Sequence, residues 1–498
     1  VSRPVNGIRW HGNPFFRIFA APKGLVGGPR GDRSDAKKEN VAQGGCRLLA
    51  LVSAPVSVEL RWPGKLAPVA PRNLFLHPGA PPQEVERYRR EERAPGNLLV
   101  HGDNLLVAPW LLETLQGKVD LIYLDPPFAT GRRFSLTTAT GSSRRASAEL
   151  DAYDDRLDDP GAFLGALAPR LALARRLLSP AGLLFLHLDA RASHGAKLLL
   201  DEIFGPHRFR GEIVWIPGNG GKGRGRFFSL QHQVILAYSR GDTWTFRGDD
   251  PALRQPFAPG SLDSHFRNVD AQGRRFRRRV INGKEYVYYA DQGRLVGSVW
   301  GDLPAMHANS PLFDESTGYP TQKPEKLLER ILRACSRPGD LVADLCCGSG
   351  TTLVAAERLG RRWVGCDLGG LAIHTARKRL LELPGPPAFS LRSFSPRPDA
   401  PPTVRASRRS SGGKVQVVLH RFQPAVENLP EGAGRGIDLL DAWAVGVRRG
   451  GVFEGRWQAQ RTRRSREIAL ASGWLRGDEG PLAIRAYDIL GRAVTAEV

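Results

Sequence analysis

At 498 residues, 41% of them hydrophobic, the chain is long enough for two or three domains and a sizeable buried core. Its 72 Lys and Arg against 50 Asp and Glu leave a formal net charge of +22, which suits a polyanionic partner. Five cysteines without Cys-x-x-Cys spacing argue against a disulfide framework or a zinc site, and no apolar run reaches membrane-spanning length, so a soluble, cytoplasmic protein without a metal is expected.

Residues 1–72 mix Gly, Pro and Arg around one apolar patch, Leu48 to Val58, and read as a disordered extension. From Glu84 to Ala94, mixed acids and bases predict a solvated helix. Asn97 then opens the first strand of the main domain, and the run Val119 to Leu124 predicts a buried strand. Its carboxyl edge carries Asp125-Pro126-Pro127-Phe128, where open α/β sheets place ligands. Two prolines remove two backbone donors and leave their carbonyls free to accept, so Asp125 and the Pro126 carbonyl could grip one amino group beside the flat face of Phe128. Taken alone, these residues also fit a Pro-Pro turn with an incidental acid.

A helix with a Leu/Ala stripe is expected from Gly161 to Leu178, then a strand from Leu183 to Asp189, a helix near Lys197 to Phe204, and strands around Ile213 and Val234. Residues 217–299 differ in character. A basic glycine-rich loop, Gly218 to Arg226, precedes a hairpin over Phe276 to Tyr289 whose turn is Asn282-Gly283. Arg274, Arg275, Arg277, Arg278 and Arg279 on one side and Tyr286, Tyr288 and Tyr289 on the other suit phosphate contact and base stacking; a hairpin charged for solubility is the competing reading. Pro324 suits the first turn of a helix with the stripe Leu327, Leu328, Ile331, Leu332 and Cys335.

Leu341 to Leu345 predicts a strand, Gly348-Ser349-Gly350 a turn, Thr351 to Leu359 a helix, and Arg361 to Asp367 a second strand ending in an acid. Glycines let a backbone approach a ligand, and Asp367 could take two ribose hydroxyls; such a unit fits a dinucleotide or S-adenosylmethionine (AdoMet). Leu353 stands where a nicotinamide fingerprint has its third glycine, and no Lys-Ser or Lys-Thr follows as a P-loop requires. Pro384 to Gly413 reads as a linker. Strands at Val415 to Leu419 and Leu482 to Ile489, with a basic run Arg461 to Arg466 between, suggest a small β-rich module.

Asp125-Pro-Pro-Phe128, then Thr321-Gln-Lys323-Pro324, then Gly348-Ser-Gly350, in that order, resemble the β class of AdoMet-dependent DNA amino-methyltransferases. With His101-Gly-Asp-Asn104, Ala129-Thr-Gly131 and Leu200 to Gly205, the flanks are most similar to modification subunits of type III restriction systems. The resemblance runs from residue 96 to residue 385. It implies a Rossmann-like α/β fold with an inserted target recognition region, AdoMet as cofactor, and double-stranded DNA whose target nucleotide is flipped out; the small β-rich C-terminal module could then contact DNA, a restriction subunit or a second copy of the chain. By the same resemblance, Asp125, Pro126, Pro127 and Phe128 would hold the base. Asp344, Gly348, Ser349, Gly350, Thr351 and Asp367 would line AdoMet, Thr321 and Lys323 its methionine end, and Asp103 its adenine amine. Asp rather than Ser before Pro-Pro favours adenine-N6; cytosine-N4 transfer and a catalytically silent DNA-binding subunit are the alternatives. One departure is that Asp344 is followed by Leu345-Cys346 where the family usually has Pro-Phe. The expected boundaries are 73–216 and 300–383 for the two parts of the methyltransferase domain, 217–299 for the recognition insert, 384–413 for the linker and 414–498 for the C-terminal module.

Overall fold

The computed structural model describes residues 60–62, 65, 81–89, 96–127, 132–141, 147–155, 159–218, 228–306, 315–394, 403–424, 434–462, 465–477 and 480–498. Phe128, Ala129-Thr130-Gly131, the apolar patch Leu48 to Val58 and loop residues 219–226 lie outside them. In chain order, β1 (Gln83–Tyr88), β2 (Asn97–His101), α1 (Asn104–Leu115) and β3 (Val119–Leu124) lead to the Asp-Pro-Pro turn. The paired strands β4 (Arg132–Ala139) and β5 (Ser147–Asp155) precede α2 (Pro160–Leu177), β6 (Leu178–Asp189), α3 (Ala190–Phe204), β7 (Phe209–Trp215) and β8 (Gln233–Ser239). The insert holds β9 (Arg254–Gln255), α4 (Pro259–His265), β10 (Asn268–Val269), β11 (Arg275–Ile281), β12 (Lys284–Tyr289) and β13 (Arg294–Leu295), and ends at β14 (Val299–Trp300). Next come α5 (Glu325–Cys335), β15 (Leu341–Asp344), α6 (Thr351–Arg358), β16 (Arg362–Asp367), α7 (Gly370–Glu382) and β17 (Phe389–Ser393). The C-terminal part is β18 (Thr403–Ser411), β19 (Lys414–Gln423), β20 (Leu440–Arg449), β21 (Val452–Gln460), β22 (Leu475–Arg476), β23 (Leu482–Asp488) and β24 (Ala493–Glu497).

Fourteen of these strands share one sheet, ordered β14-β7-β8-β6-β3-β15-β16-β2-β17-β1-β21-β20-β23-β24. From β6 to β17 the six neighbours run parallel. Both faces of this part are covered, which is why its strands are almost wholly apolar. α1, α2 and α3 pack Val107, Leu111, Leu171 and Leu199 on one face, against Leu124, Leu186 and Val364. α5, α6 and α7 pack Leu327, Leu332, Val354 and Ala376 on the other, against Tyr123, Val342 and Trp363. The chain leaves β15 toward β16 through α6 and leaves β3 toward β6 through α2, so the direction of winding reverses between β3 and β15. The crevice at the carboxyl ends of those strands is the place such sheets offer a ligand.

Three expectations need correcting. Residues 83–88 form a strand between β17 and β21, with Glu86 and Tyr88 buried, in place of the solvated helix expected from Glu84. The charge pattern misled because Glu86 is compensated by Arg377 and Arg485, far away in sequence. The segment 384–413, read as a linker, contains the interior strand β17 between β2 and β1, and also β18. The C-terminal part is β-rich, but β21, β20, β23 and β24 continue the main sheet through the β1–β21 pairing rather than forming a separate module. A second small sheet, β18-β19-β22, packs Val415, Val417, Leu419 and Phe422 against Trp443, Val445 and Ile484. Among the described residues, no helix is long and apolar enough to cross a membrane.

Candidate active site

Strand register brings three acids to one edge. Asp344 ends β15 opposite Tyr123 and Gly365; Asp125 stands two residues beyond Tyr123, just past the end of β3, and Asp367 two residues beyond Gly365, at the end of β16. They line a cavity of about 800 Å³, to which Asp103, Pro126, Pro127, Thr321, Lys323, Gly348, Ser349 and Thr351 also contribute. Of the residues assigned to catalysis and cofactor from sequence, Gly350 sits behind the loop against α7, and Phe128 lies outside the described residues.

The acid and the lysine of two separate motifs meet here. Pro324 occupies the cap position just ahead of α5, one residue earlier than expected, and Thr321 adopts φ 58°, a left-handed conformation costly for a β-branched residue. That turn presents Lys323, itself buried, so that its Nζ donates to Asp125 Oδ2 at 2.5 Å. The Asp125 side chain keeps 18% of its surface exposed, yet Oδ1 is buried and has no hydrogen-bond partner among the described residues. Burial pushes the Asp125 carboxyl above the usual range, and Lys323 opposes the rise. Nothing local in the sequence announces this pair, whose members are 198 residues apart.

The glycine loop is held on both sides. Asp344 accepts from Thr352 Oγ1 at 2.5 Å and from the Cys346 backbone N–H at 3.1 Å. Burial raises its pKa to about 7; those hydrogen bonds oppose the rise, and the charges of Asp125 and Asp367 add to it. Asp367 accepts from the backbone N–H groups of Gly348 and Gly369, each at 2.8 Å, while burial moves it upward as well. Gly350 has φ 78°, and a Cβ there would stand 2.7 Å from that of Ala376, so the loop closes directly onto α7. Beneath it the buried Arg379 donates to Ser349 O at 3.1 Å and Thr351 Oγ1 at 2.9 Å and pairs with Glu325 at 2.8 Å.

Sequence reasoning missed Arg379, Arg170 and the role of Asn104. Arg170 reaches Asp103 at 3.3 Å, and Asp103 also caps α1 through the Leu105 N–H. Asn104 donates to Leu345 O at 2.8 Å, and its Oδ1 is a second buried acceptor in the cavity without a partner among the described residues. Asn104 could have been found, since it completes the His-Gly-Asp-Asn segment; the two arginines had no local signal.

The insert's hairpin forms with Asn282 at φ 51° and Gly283 at φ 77°, as a two-residue turn requires. Its arginines are largely partnered from within. Arg274 pairs with Asp291 at 2.9 Å and Arg278 with Glu285 at 3.3 Å. Arg275 donates to the Leu262 and Phe266 carbonyls, and Arg277 lies over the Phe266 and Tyr288 rings. Arg279 and Tyr286 face each other across the strands, Tyr286 39% exposed.

A family model described as DNA methylase, N6_N4_Mtase, matches residues 119–378, which contain the three acids, the Lys323 turn and the glycine loop, and the chain belongs to that family. It is similar to the type II methyltransferase M.EcaI of Enterobacter cloacae, 29% identical over 332 residues, covering 57% of this chain and 69% of that protein. It is also similar to the DNA adenine methyltransferase YhdJ of Escherichia coli, 26% identical over 283 residues, covering 57% of this chain and 82% of YhdJ. A match to the EcoPI Mod subunit of a type III restriction-modification enzyme from Escherichia phage P1 is 30% identical but covers only 30% of that subunit. Among solved structures, an M1.HpyAVI–SAM complex aligns with a TM-score of 0.34 and 20% identity, covering 57% of this chain and all of that one.

Proposed function

We propose that this DNA methyltransferase takes its methyl group from AdoMet and places it on the N6 amine of a flipped-out adenine in double-stranded DNA. The observation that carries the reading is Asp125: one oxygen anchored by Lys323, the other buried at the cavity without a partner among the described residues. A buried acceptor without a donor is costly, so a ligand N–H is the natural partner. The rest of the cavity fits AdoMet. Its volume suits a ligand of that size, the buried Asp344 and the half-buried Asp125 and Asp367 against the single Lys323 favour a ligand carrying positive charge, and the Gly348-Ser-Gly350 turn admits close backbone approach.

When bound, AdoMet would supply an electrophilic methyl on its sulfonium. Asp125 Oδ1 accepts one hydrogen of the base amine and so turns the nitrogen lone pair, otherwise delocalised into the ring, toward that methyl. Lys323 fixes the Asp125 rotamer and favours its ionised form against the pull of burial. Asp367, with lone pairs left after two backbone bonds, takes ribose hydroxyls, and Asn104 Oδ1 with Asp103 offers acceptors for the cofactor's adenine amine. The Asp at the head of the Pro-Pro motif and the similarity to a named adenine methyltransferase favour adenine, and the name of the EcoPI Mod relative favours a restriction-modification setting.

Mass spectrometry of host DNA after expression should show N6-methyladenine; finding N4-methylcytosine instead would overturn the choice of base. Asp125→Ala should abolish transfer while leaving the AdoMet dissociation constant within a few fold, because the missing carboxylate acts on the base. Activity near wild type would remove Asp125 from the mechanism.

A further inference from the structure

Outside the cavity, the excess positive charge is unevenly partnered. In the insert's hairpin most of it is engaged internally, on Asp291, Glu285, carbonyls and aromatic rings. The β18-β19-β22 sheet is the reverse case. Its inner face is set by Val415, Val417, Leu419 and Phe422, which pack into the C-terminal core. Side chains directly opposite in a strand pair share a face. Register therefore places Arg405 opposite Arg421, Arg409 opposite Gln416, Ser411 opposite Lys414, and Lys414 opposite Arg476, all on the outer face.

These five basic residues are exposed, and none has an acidic partner among the described residues. The contact Arg421 does make is to the neutral Gln423, at 2.9 Å. Two of the cross-strand pairs, Arg405–Arg421 and Lys414–Arg476, set like charges directly against each other, an arrangement that costs stability unless an anion lies between them. A face of four guanidiniums and one ammonium, laid along and across strands, matches an extended line of phosphates rather than a single anion.

We propose that the outer face of the β18-β19-β22 sheet is a second docking surface for the phosphate backbone of double-stranded DNA, distinct from the methylation cavity and from the insert's hairpin. It rests on the family's DNA substrate but not on the choice of base or the role of Asp125. The surface carries no sequence information; it adds affinity and holds duplex flanking the target.

The test uses the full chain and fluorescence anisotropy on a long duplex and a short one, with salt varied. Replacing Arg405, Arg409 and Arg421 together by Gln should lower the log-log salt slope on the long duplex by up to about 2.7, at roughly 0.9 for each phosphate no longer neutralised. Binding to unrelated sequences should weaken equally, and AdoMet affinity should not change. The same three positions changed to Lys keep the charge and should keep most of the slope, and Lys414→Gln with Arg476→Gln provides an independent second variant. An unchanged slope in both Gln variants, with AdoMet binding intact, would overturn the proposal and leave the face to solvent or to an acidic protein. Asp125→Ala run in parallel should retain the full slope, so failure of the mechanism and failure of this surface give different results.

Discussion

Asp125 and Lys323 show how one contact can serve two neighbouring sites. The lysine arrives on a strained turn and the acid on a Pro-Pro turn, and their contact fixes one carboxylate oxygen while the other stays buried without a partner among the described residues. Asp344 supplies a sharper test because its pKa lies at about 7, pushed up by burial. Below that value it is mainly protonated in the free protein, and a cationic ligand favours its carboxylate. AdoMet affinity should therefore rise with pH through about 6 to 8, by at most about tenfold per pH unit for a single proton released. Calorimetry across that range checks it; Asp344→Asn should bind with a flat pH dependence, and a wild-type profile that is already flat would contradict the assignment.

At the scale of elements, the glycine loop, α6 and α7 behave as one unit. Gly350 is left-handed and lies within Cβ reach of Ala376, while Arg379 of α7 holds Ser349 and Thr351 from below. Gly350→Ala must adopt φ 78° and push α7 away, so a loss of about 1–3 kcal/mol in stability is expected together with at least tenfold weaker AdoMet binding. Thermal melting and calorimetry would show both. If the cofactor affinity stayed at wild type, the loop would not be the cradle. The hairpin of the insert needed no tertiary help to be read, because Asn-Gly can take two left-handed residues at little cost and the strands on either side then pair in register.

Across the whole molecule, Glu86 ties the catalytic sheet to the C-terminal strands. It sits fully buried in β1 between Arg377 of α7, at 2.8 Å, and Arg485 of β23, at 3.0 Å, with Tyr88 donating to it at 2.9 Å. Burial alone would raise its pKa, but Arg377 and Arg485 overcome that and hold it at about 2. Because the folded value lies below the unfolded one, its contribution is complete above about 4.5 and is lost as the pH falls toward 2. Glu86→Gln leaves the buried Arg377 and the half-buried Arg485 guanidiniums without their anion and should cost about 3–5 kcal/mol near neutrality. Urea unfolding would measure it. The variant should also lose less stability than wild type between about pH 4.5 and 2; parallel acid profiles would show that the cluster is not a structural tie.

What the amino-acid sequence decided by itself was local: apolar runs that must be buried, turns that need glycine or asparagine, and the acid, lysine and glycine residues of three short motifs. Those features depend on neighbours within a few residues, so they were legible. The strand at Gln83–Tyr88, the Lys323–Asp125 pair, the Arg379 prop and the basic outer face on β18 and β19 were decided only when the chain closed on itself. A charged side chain records its own charge but not its partner. Glu86 meets Arg377 across 291 positions of sequence, and only the tertiary structure sets a buried acid against the cations that make its burial tolerable, or lays five outward cations side by side with no acid beside them among the described residues.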